Sequence, residues 1–381
     1  MKYRILGRTG IKVSEIGMGC EGFTEDEGRM CKELVELATE NGVNYIDVYS
    51  SNPLIRTKLG EAIYGRRDKF VLQAHLCTIW EDDQYKRTRN PKEIEASWND
   101  LLERLQTDYI DVGMIHYCDD LNDWNNIING FAMQFAQKLK AEGKIKAIGM
   151  SSHNPIAALA AAESGLIDVI LFSVNPCYDL MPADDDCYEL FKPENYQKQF
   201  INMDQDRERF YETCQRLGIA ITVMKAYGGG DLLSENSPAG KALTVNQCLH
   251  YALTRPAVAT ICTGAHSVKE LQGALAYETA TAEEKDYAGA LASFSNITWS
   301  GHCMYCGHCA PCPKNIDIAM VTKLLNLCKA QNTVPETVRE HYAVLDHHAS
   351  ECIGCGACEK RCPFSVKVRE NMVEAVKVFG K

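Results

Sequence analysis

The 381-residue sequence has no apolar run of the roughly 20 residues that a membrane span requires. Its opening, Met1-Lys-Tyr-Arg-Ile-Leu-Gly7, lacks the apolar h-region of a secretory signal and reads as folded protein. The expectation is a cytoplasmic chain with no membrane partner. Positive charge is also short, with 40 Lys+Arg against 51 Asp+Glu. The deficit is uneven. Residues 301–381 carry ten Lys+Arg and eight Asp+Glu, which leaves thirty against forty-three for residues 1–300. A body this acidic argues against nucleic acid as a partner. No G-x-G-x-x-G stretch follows the first strand candidate, Ile16–Met18, which counts against an open dinucleotide-binding sheet.

Cysteine is what the sequence has in excess. There are eighteen, and without a secretory signal they imply a reducing, oxygen-poor (anaerobic) compartment. Eight fall in two matching runs, Cys303-Met-Tyr-Cys306-Gly-His-Cys309-Ala-Pro-Cys312-Pro313 and Cys352-Ile-Gly-Cys355-Gly-Ala-Cys358-Glu-Lys-Arg-Cys362-Pro363. The second has the bacterial ferredoxin spacing C-x2-C-x2-C-x3-C-P, and the first is one residue shorter before its last cysteine. Zinc sites use separated C-x2-C pairs, and disulfide frameworks suit small secreted chains. Neither matches two triplets. In two-cluster ferredoxins the fourth cysteine of each run ligates the other cluster. On that pattern Cys303, Cys306, Cys309 and Cys362 hold one [4Fe–4S] cluster, and Cys352, Cys355, Cys358 and Cys312 the second.

The rest of the chain alternates. Tyr3–Leu6 and Lys12–Ser14 read as a hairpin around Gly7-Arg-Thr-Gly10. Eight apolar runs then alternate with amphipathic helices: 16–18, 43–48, 70–74, 110–115, 147–150, 169–174, 219–224 and 258–262. Met30, Leu34, Leu37 and Ala38 share one helical face closed by Gly42. Asn90-Pro91 caps a helix with Glu93 at the capping-box position and a stripe of Ile94, Trp98, Leu101 and Leu105. Ser267 and Glu270 repeat the box in the last unit. Eight strand–helix units in roughly 280 residues predict an α/β fold, a (β/α)8 TIM barrel over residues 1–285. A small, mainly helical ferredoxin-like iron–sulfur domain follows over 286–381. Barrel chemistry sits at the C-terminal strand ends. Those ends carry Cys20, Asp47, His75, His116, Ser151 with His153, Asn175, Lys225 and Gly264. The long acidic stretch Pro176–Asp206 reads as a lid.

Several of these residues resemble a known family. Tyr3-Arg-Ile-Leu-Gly-Arg-Thr-Gly-Ile-Lys-Val-Ser14, Asn44-Tyr-Ile-Asp47, Arg104-Leu-Gln-Thr-Asp-Tyr-Ile-Asp111 with His116, and Ile145-Lys-Ala-Ile-Gly-Met-Ser151 with His153 resemble aldo/keto reductases. The tail looks like the branch of that family with two [4Fe–4S] motifs after the barrel. The resemblance implies NADPH-dependent carbonyl reduction by an Asp, a Tyr, a Lys and a His. Asp47 and His116 match two of these. The Tyr position is Asn52 and the Lys position is His75. At the cofactor positions Val174 replaces the stacking tyrosine and Ala274 the adenine-contacting asparagine, so NADP(H) binding is expected to be weak or absent. Ser151, His153 and the Gly228-Gly229-Gly230 turn keep the family's cofactor-binding pattern.

The catalytic candidates are therefore Asp47, Tyr49, His75 and His116. Tyr49 lies two residues beyond Asp47 and can face the same side. Asn52 can donate a hydrogen bond but not a proton. His75 and His116 end adjacent strands and can exchange protons near neutral pH. Lys225 can bind an anionic group, and the three glycines can cradle phosphate through N–H groups. Cys20, Cys77, Cys118 and Cys177 lie at strand ends, where a further metal site is conceivable beside the histidines. Each has a plainer reading, as a satisfied core histidine, a rim lysine, a flexible loop or a scattered thiol. The expected function is an iron–sulfur oxidoreductase acting on a small organic substrate in the barrel mouth. Electrons would pass through the clusters from or to a redox partner of ferredoxin or flavodoxin type. A nicotinamide-dependent carbonyl reductase and an electron carrier on a vestigial barrel are the alternatives.

Overall fold

The computed structural model describes residues 1–184, 200–235, 237, 241–292, 297–298, 301–329 and 334–381. The N-terminal hairpin forms as expected from β1 (Tyr3–Ile5) and β2 (Lys12–Ser14). The barrel strands are β3 (Ile16–Met18), β4 (Tyr45–Val48) and β5 (Val71–Leu76). A second hairpin, β6 (Thr78–Glu81) and β7 (Gln84–Arg87), interrupts them. The barrel resumes with β8 (Ile110–Ile115), β9 (Ile145–Ser152) and β10 (Val169–Ser173). After the short β11 (Phe200–Ile201) come β12 (Ala220–Met224) and β13 (Val258–Thr263), and β14 (Ile297–Thr298) pairs with β11. The eight expected barrel strands close in the order β10-β12-β13-β3-β4-β5-β8-β9, and every adjacent pair is parallel.

The barrel interior is filled, not hollow. Tyr45, Val71, Val112, Met114, Ala147, Val169, Leu171 and Ala220 pack as one cluster, closed at the base by Leu6 and Val13 of the hairpin. Because side chains alternate along a strand, the residues two and four further on also point inward. That rule carries Tyr45 to Asp47 and Tyr49, Val71 to Gln73 and His75, and Met114 to His116. A polar layer therefore tops an apolar one at the C-terminal end of the strands.

The helix signals held in part. Asn90 Oδ1 accepts from Lys92 N at 3.0 Å and caps the helix Pro91–Leu105. Glu93 does not complete the box, since its carboxylate bonds Thr88 Oγ1 instead. Ser267 Oγ accepts from Glu270 N at 3.3 Å, while Glu270 Oε2 takes the N–H of His266 rather than that of Ser267.

Three findings depart from the sequence reading. First, Gly17, Gly19 and Gly22 do have G-x-G-x-x-G spacing, overlapping β3. Each glycine has a steric reason of its own. A Cβ at Gly17 would lie 3.2 Å from the Tyr45 side chain, one at Gly19 2.1 Å from Glu21 Oε2, and one at Gly22 2.1 Å from Ala265 O. Second, the hairpin β6–β7 was not expected. Its turn residues Asp82 and Asp83 have φ of 54° and 56°, the left-handed pair of a type I′ turn, without the Asn-Gly or Asp-Gly that would announce it. Third, residues 185–199, about half of the expected lid, lie outside the described residues.

The C-terminal region contains helices Ile318–Lys329, Glu336–Ala343 and Val368–Phe379. Their buried faces (Val321, Leu324, Leu325, Val338, Met372, Ala375) join the same apolar cluster as the layer between barrel strands and helices. Among the described residues no helix is long and apolar enough to cross a membrane.

Candidate functional site

At the barrel mouth the structure brings Asp47, His75 and His116 into one hydrogen-bonded row. His75 Nε2 is 3.2 Å from Asp47 Oδ1, and His75 Nδ1 is 2.6 Å from His116 Nδ1. Asp47 Oδ1 also accepts from Gln73 Nε2 at 2.7 Å. Gln73 Oε1 in turn accepts from Tyr45 OH at 2.6 Å and Thr222 Oγ1 at 3.1 Å. The carboxylate is thus oriented from below by an amide that is itself held by two hydroxyls. All three mouth residues are buried. Burial first, then the charges of His75, Arg89 and His153, pushes His116 well below the ordinary histidine range. A neutral His116 and a His75 whose Nε2–H faces Asp47 share one proton between their Nδ1 atoms. Protonation of His75 makes it donor on both sides.

Tyr49 does face this side. Its ring packs edge-on against Tyr85 of the β6–β7 hairpin at 5.4 Å, and Tyr85 meets His116 at 5.9 Å. Burial, then Cys20, Glu21 and Tyr85, drives the Tyr49 phenol well above its usual range, so it stays protonated. Asn52, where the resemblance puts a tyrosine, caps the helix Pro53–Ile63, with Oδ1 accepting from Leu54 N at 2.8 Å.

His153 is tied to the rim. Its Nδ1 lies 2.9 Å from Asp119 Oδ2 and its N–H donates to Asp119 Oδ1 at 2.6 Å. Burial works against the Asp119 carboxylate, but these bonds win and hold its pKa below the usual value. Ser151 Oγ accepts from Tyr117 N at 2.8 Å. Gly228, Gly229 and Gly230 are all left-handed, with φ of 61°, 73° and 103°. Gly228 and Gly230 spend their N–H groups on Lys225 O and Tyr227 O, at 2.8 and 3.0 Å. Val174 is completely buried and Ala274 nearly so.

Three residues near the mouth escaped the sequence reading. Gln73 was legible as the one amide inside Val71-Leu-Gln-Ala-His-Leu76. Tyr85 was not, because its hairpin was not. Glu21 threads its carboxyl between Gly19 and Gly264, where added Cβ atoms would lie 2.1 and 3.0 Å from it. Its Oε2 is buried without a partner among the described residues. Burial, with Asp47 adding to it, raises its pKa while Lys225 and His266 pull it down. The strand-end thiols are packing residues. Burial pushes Cys77 up to about 11 and Cys118 and Cys177 to about 12. Among the described residues no three His, Cys, Asp or Glu side chains converge on a single-ion site.

The C-terminal cysteines form a different kind of site. Tyr305 and Gly307 flank Cys306 with φ of 54° and 82°, and Gly354 and Gly356 flank Cys355 with 66° and 72°. The two loops therefore share one backbone path, which turns N–H groups toward sulfur. Gly354 N donates to Cys352 Sγ at 3.4 Å and Val366 N to Cys362 Sγ at 3.5 Å. Tyr305 fills a left-handed position that glycine takes in the second loop, and its hydroxyl is anchored by Asn326 Nδ2 at 2.9 Å. Arg361 of the second run clasps the first through Cys309 O at 2.5 Å and Pro311 O at 2.7 Å. Cys303 feels Cys306, Cys309 and Cys362 as its near ionisable neighbours. Cys312, Cys352, Cys355 and Cys358 line one hollow with Ile316, Ile318 and Met372. Four thiols around an apolar hollow suit a cube of iron and sulfide, which is larger than one ion.

Comparison with known proteins agrees. Residues 15–247 match the aldo/keto reductase family, and residues 346–367 match a 4Fe-4S binding domain. The uncharacterized oxidoreductase YqkF of Bacillus subtilis is 25% identical over 281 residues, 71% of this chain and 89% of that protein. The L-galactose dehydrogenase of Arabidopsis thaliana is 30% identical over 203 residues, 48% of this chain and 61% of that protein. The aldo-keto reductase AKR11C1 of Bacillus halodurans, in its holo form, superposes with a TM-score of 0.60 at 24% identity, covering 76% of this chain and 96% of that one. A closed parallel barrel and a family match over more than half the sequence lead to one conclusion: the chain belongs to the aldo/keto reductase family, as an oxidoreductase with a C-terminal 4Fe–4S binding domain.

Proposed function

We propose that this oxidoreductase acts on a small organic substrate in the barrel mouth, coupling proton exchange there to one-electron steps through two [4Fe–4S] clusters. The observation that carries the reading is the Asp47–His75–His116 row. A lysine in place of His75 would be a fixed cation beside a tyrosine; a histidine pair instead places two ring nitrogens where a proton can pass from one to the other. In this reading Asp47 fixes the His75 ring, His75 passes its Nδ1 proton, and His116 delivers or takes it at the substrate. Tyr49 and Tyr85 exclude water above the pair. The ligand sets are Cys303, Cys306, Cys309, Cys362 and Cys312, Cys352, Cys355, Cys358. Clusters bound there would supply or accept electrons singly.

The two loops face different ways. Cys355 and Ile353 are exposed, the latter by 61%, which suits entry of electrons from a redox partner of ferredoxin or flavodoxin type at the second loop. The first loop faces the barrel. From it a buried series runs toward the mouth. Tyr287 donates to Met304 O at 2.9 Å and packs on Tyr251 at 5.3 Å. Tyr251 and Tyr211 both bond Asp179, at 2.7 and 2.6 Å. Tyr211 meets Phe172 at 6.2 Å, and Arg207 lies 5.0 Å over Phe172 while bonding His153 O at 3.4 Å. A chain of aromatic and charged groups without solvent supports passage along this flank.

A nicotinamide-dependent carbonyl reductase is the second reading. It is favoured by relatives such as the NADH-specific methylglyoxal reductase of Escherichia coli, 27% identical over 193 residues. Val174 and Ala274 oppose it, since neither side chain can stack on or hydrogen-bond a cofactor, and losing a stacking aromatic alone costs on the order of 1 kcal/mol. Anaerobic purification with iron and sulfide analysis, then calorimetric titration with NADPH and NADH, separates the two. The expected result is about eight iron per chain and no saturation at micromolar nucleotide. A dissociation constant on the order of 1 µM would restore the reductase reading.

A further inference from the structure

We propose that Arg255, a residue of the barrel, is the counter-cation and hydrogen-bond donor of the first cluster and raises its reduction potential. The inference rests on the two-cluster reading, in which Cys303, Cys306, Cys309 and Cys362 are that cluster's ligands.

Arg255 lies in the turn between the helix Val245–Leu253 and β13, and its side chain is 2% exposed. Its Nη2 donates to Met304 O at 2.5 Å, Thr254 Oγ1 at 3.1 Å and Tyr287 OH at 3.3 Å. Its Nε and Nη1 are buried without a hydrogen-bond partner among the described residues. No carboxylate among the described residues forms an ion pair with it, and its guanidinium stacks 4.5 Å over the Tyr251 ring. Arginine always carries its charge, and a buried charge is costly unless something of opposite sign faces it. A cation–π contact offsets only part of that cost.

The buried carboxylates that act on it, Asp179 and Glu208, do so without touching it, and Asp179 is already held by Arg207, Tyr211 and Tyr251; what lies directly beside the guanidinium is the first cysteine loop. Met304, whose carbonyl Arg255 holds, sits between Cys303 and Tyr305, and Tyr287 donates to the same carbonyl at 2.9 Å. A four-iron cluster with four thiolates is an anion, and it gains one more negative charge when it takes an electron. A fixed cation with two free N–H groups at its edge favours that reduced form. One electron enters from the external reductant, and no proton moves because the guanidinium keeps its own.

A competing counter-ion is a small solute anion. The cleft of about 470 Å³ between barrel base and cluster domain is lined by Arg4, Arg255, Lys323, Tyr305 and Asp317. Lys323 there is held down at about 8 by burial and by Arg4 and Arg255.

The test uses the full chain, purified anaerobically, with iron and sulfide analysis and a dithionite titration followed by electron paramagnetic resonance. The variants are Arg255→Gln, Arg255→Lys and Tyr287→Phe. We expect Arg255→Gln to keep about eight iron and to disfavour reduction of one cluster about tenfold, the scale of a hydrogen bond to a charged group. For a one-electron couple that is about 59 mV more negative. Arg255→Lys should fall between, and Tyr287→Phe should match the wild type. If Arg255→Gln fails to hold iron, Arg255→Lys decides, and a potential equal to wild type then overturns the proposal. An unchanged potential in iron-replete Arg255→Gln also overturns it. So does a wild-type potential that moves with added phosphate at constant ionic strength, when that response is lost in Arg255→Gln. A wild type holding only about four iron would instead fail the two-cluster reading.

Discussion

The Nδ1 atoms of His75 and His116 lie 2.6 Å apart. Two ring nitrogens at that distance must hold a proton between them, because two lone pairs would repel. Asp47 and Gln73 fix one ring from below, while Tyr85 and Tyr117 pack edge-on against the other. Where the resemblance implies a lysine supporting a tyrosine, this chain has a proton-sharing pair.

If the pair moves protons during turnover, removing either end should show. With reduced viologen as electron source and a panel of small carbonyl compounds as substrates, His116→Gln and His75→Gln should each lose about 10²- to 10⁴-fold in kcat at unchanged iron content. Full turnover in both variants would make the histidines structural.

Glu212, on the helix Gln205–Leu217, titrates at about 8 because burial, then Glu208, disfavours its charge. Unfolded, it titrates near the ordinary glutamate value, about 4.3. Its folded pKa is raised, so its contribution to stability is full below about 4.3 and is lost as pH rises through 8. Glutamine has no such loss. The melting temperature of Glu212→Gln minus that of wild type should grow from pH 5 to pH 8 and then level off. A difference that is flat with pH counts against a raised pKa.

Gly60 lets two helices touch. A Cβ there would lie 2.1 Å from Arg104 O and 2.9 Å from Leu105 Cα. Both are backbone atoms and cannot turn aside. Gly60→Ala should cost about 1–3 kcal/mol by overpacking, read as a lower urea midpoint at unchanged slope. No shift in the midpoint would mean that the helices part freely.

On the two-cluster reading, Cys306→Ala should halve the iron to about four per chain. If bound clusters staple the small C-terminal core, it should also loosen the C-terminal helices. Hydrogen exchange within 318–329 and 368–379 reports this directly, and unchanged protection there would show that the domain folds without its first cluster.

The sequence alone determined the barrel and the two cysteine loops. Both follow from local rules: eight strand–helix alternations admit few closures, and cysteines two residues apart face one centre. Alternation also placed Asp47, His75 and His116 on the inner face, because each stands an even number of residues from a core side chain. Only the tertiary structure decided what those residues touch. Asn52 became a helix cap because Pro53 starts a helix beside it. Tyr85 reached the mouth because Asp82 and Asp83 fold back in a left-handed turn that their identity barely signals. Glu21 was buried because Gly19 and Gly264, far apart in sequence, leave room for its carboxyl. Arg255 and Met304 are 49 residues apart, and nothing local to either announces the other. Contacts of that separation depend on how the barrel and the C-terminal helices pack, which is a property of the closed surfaces and not of any one stretch of chain.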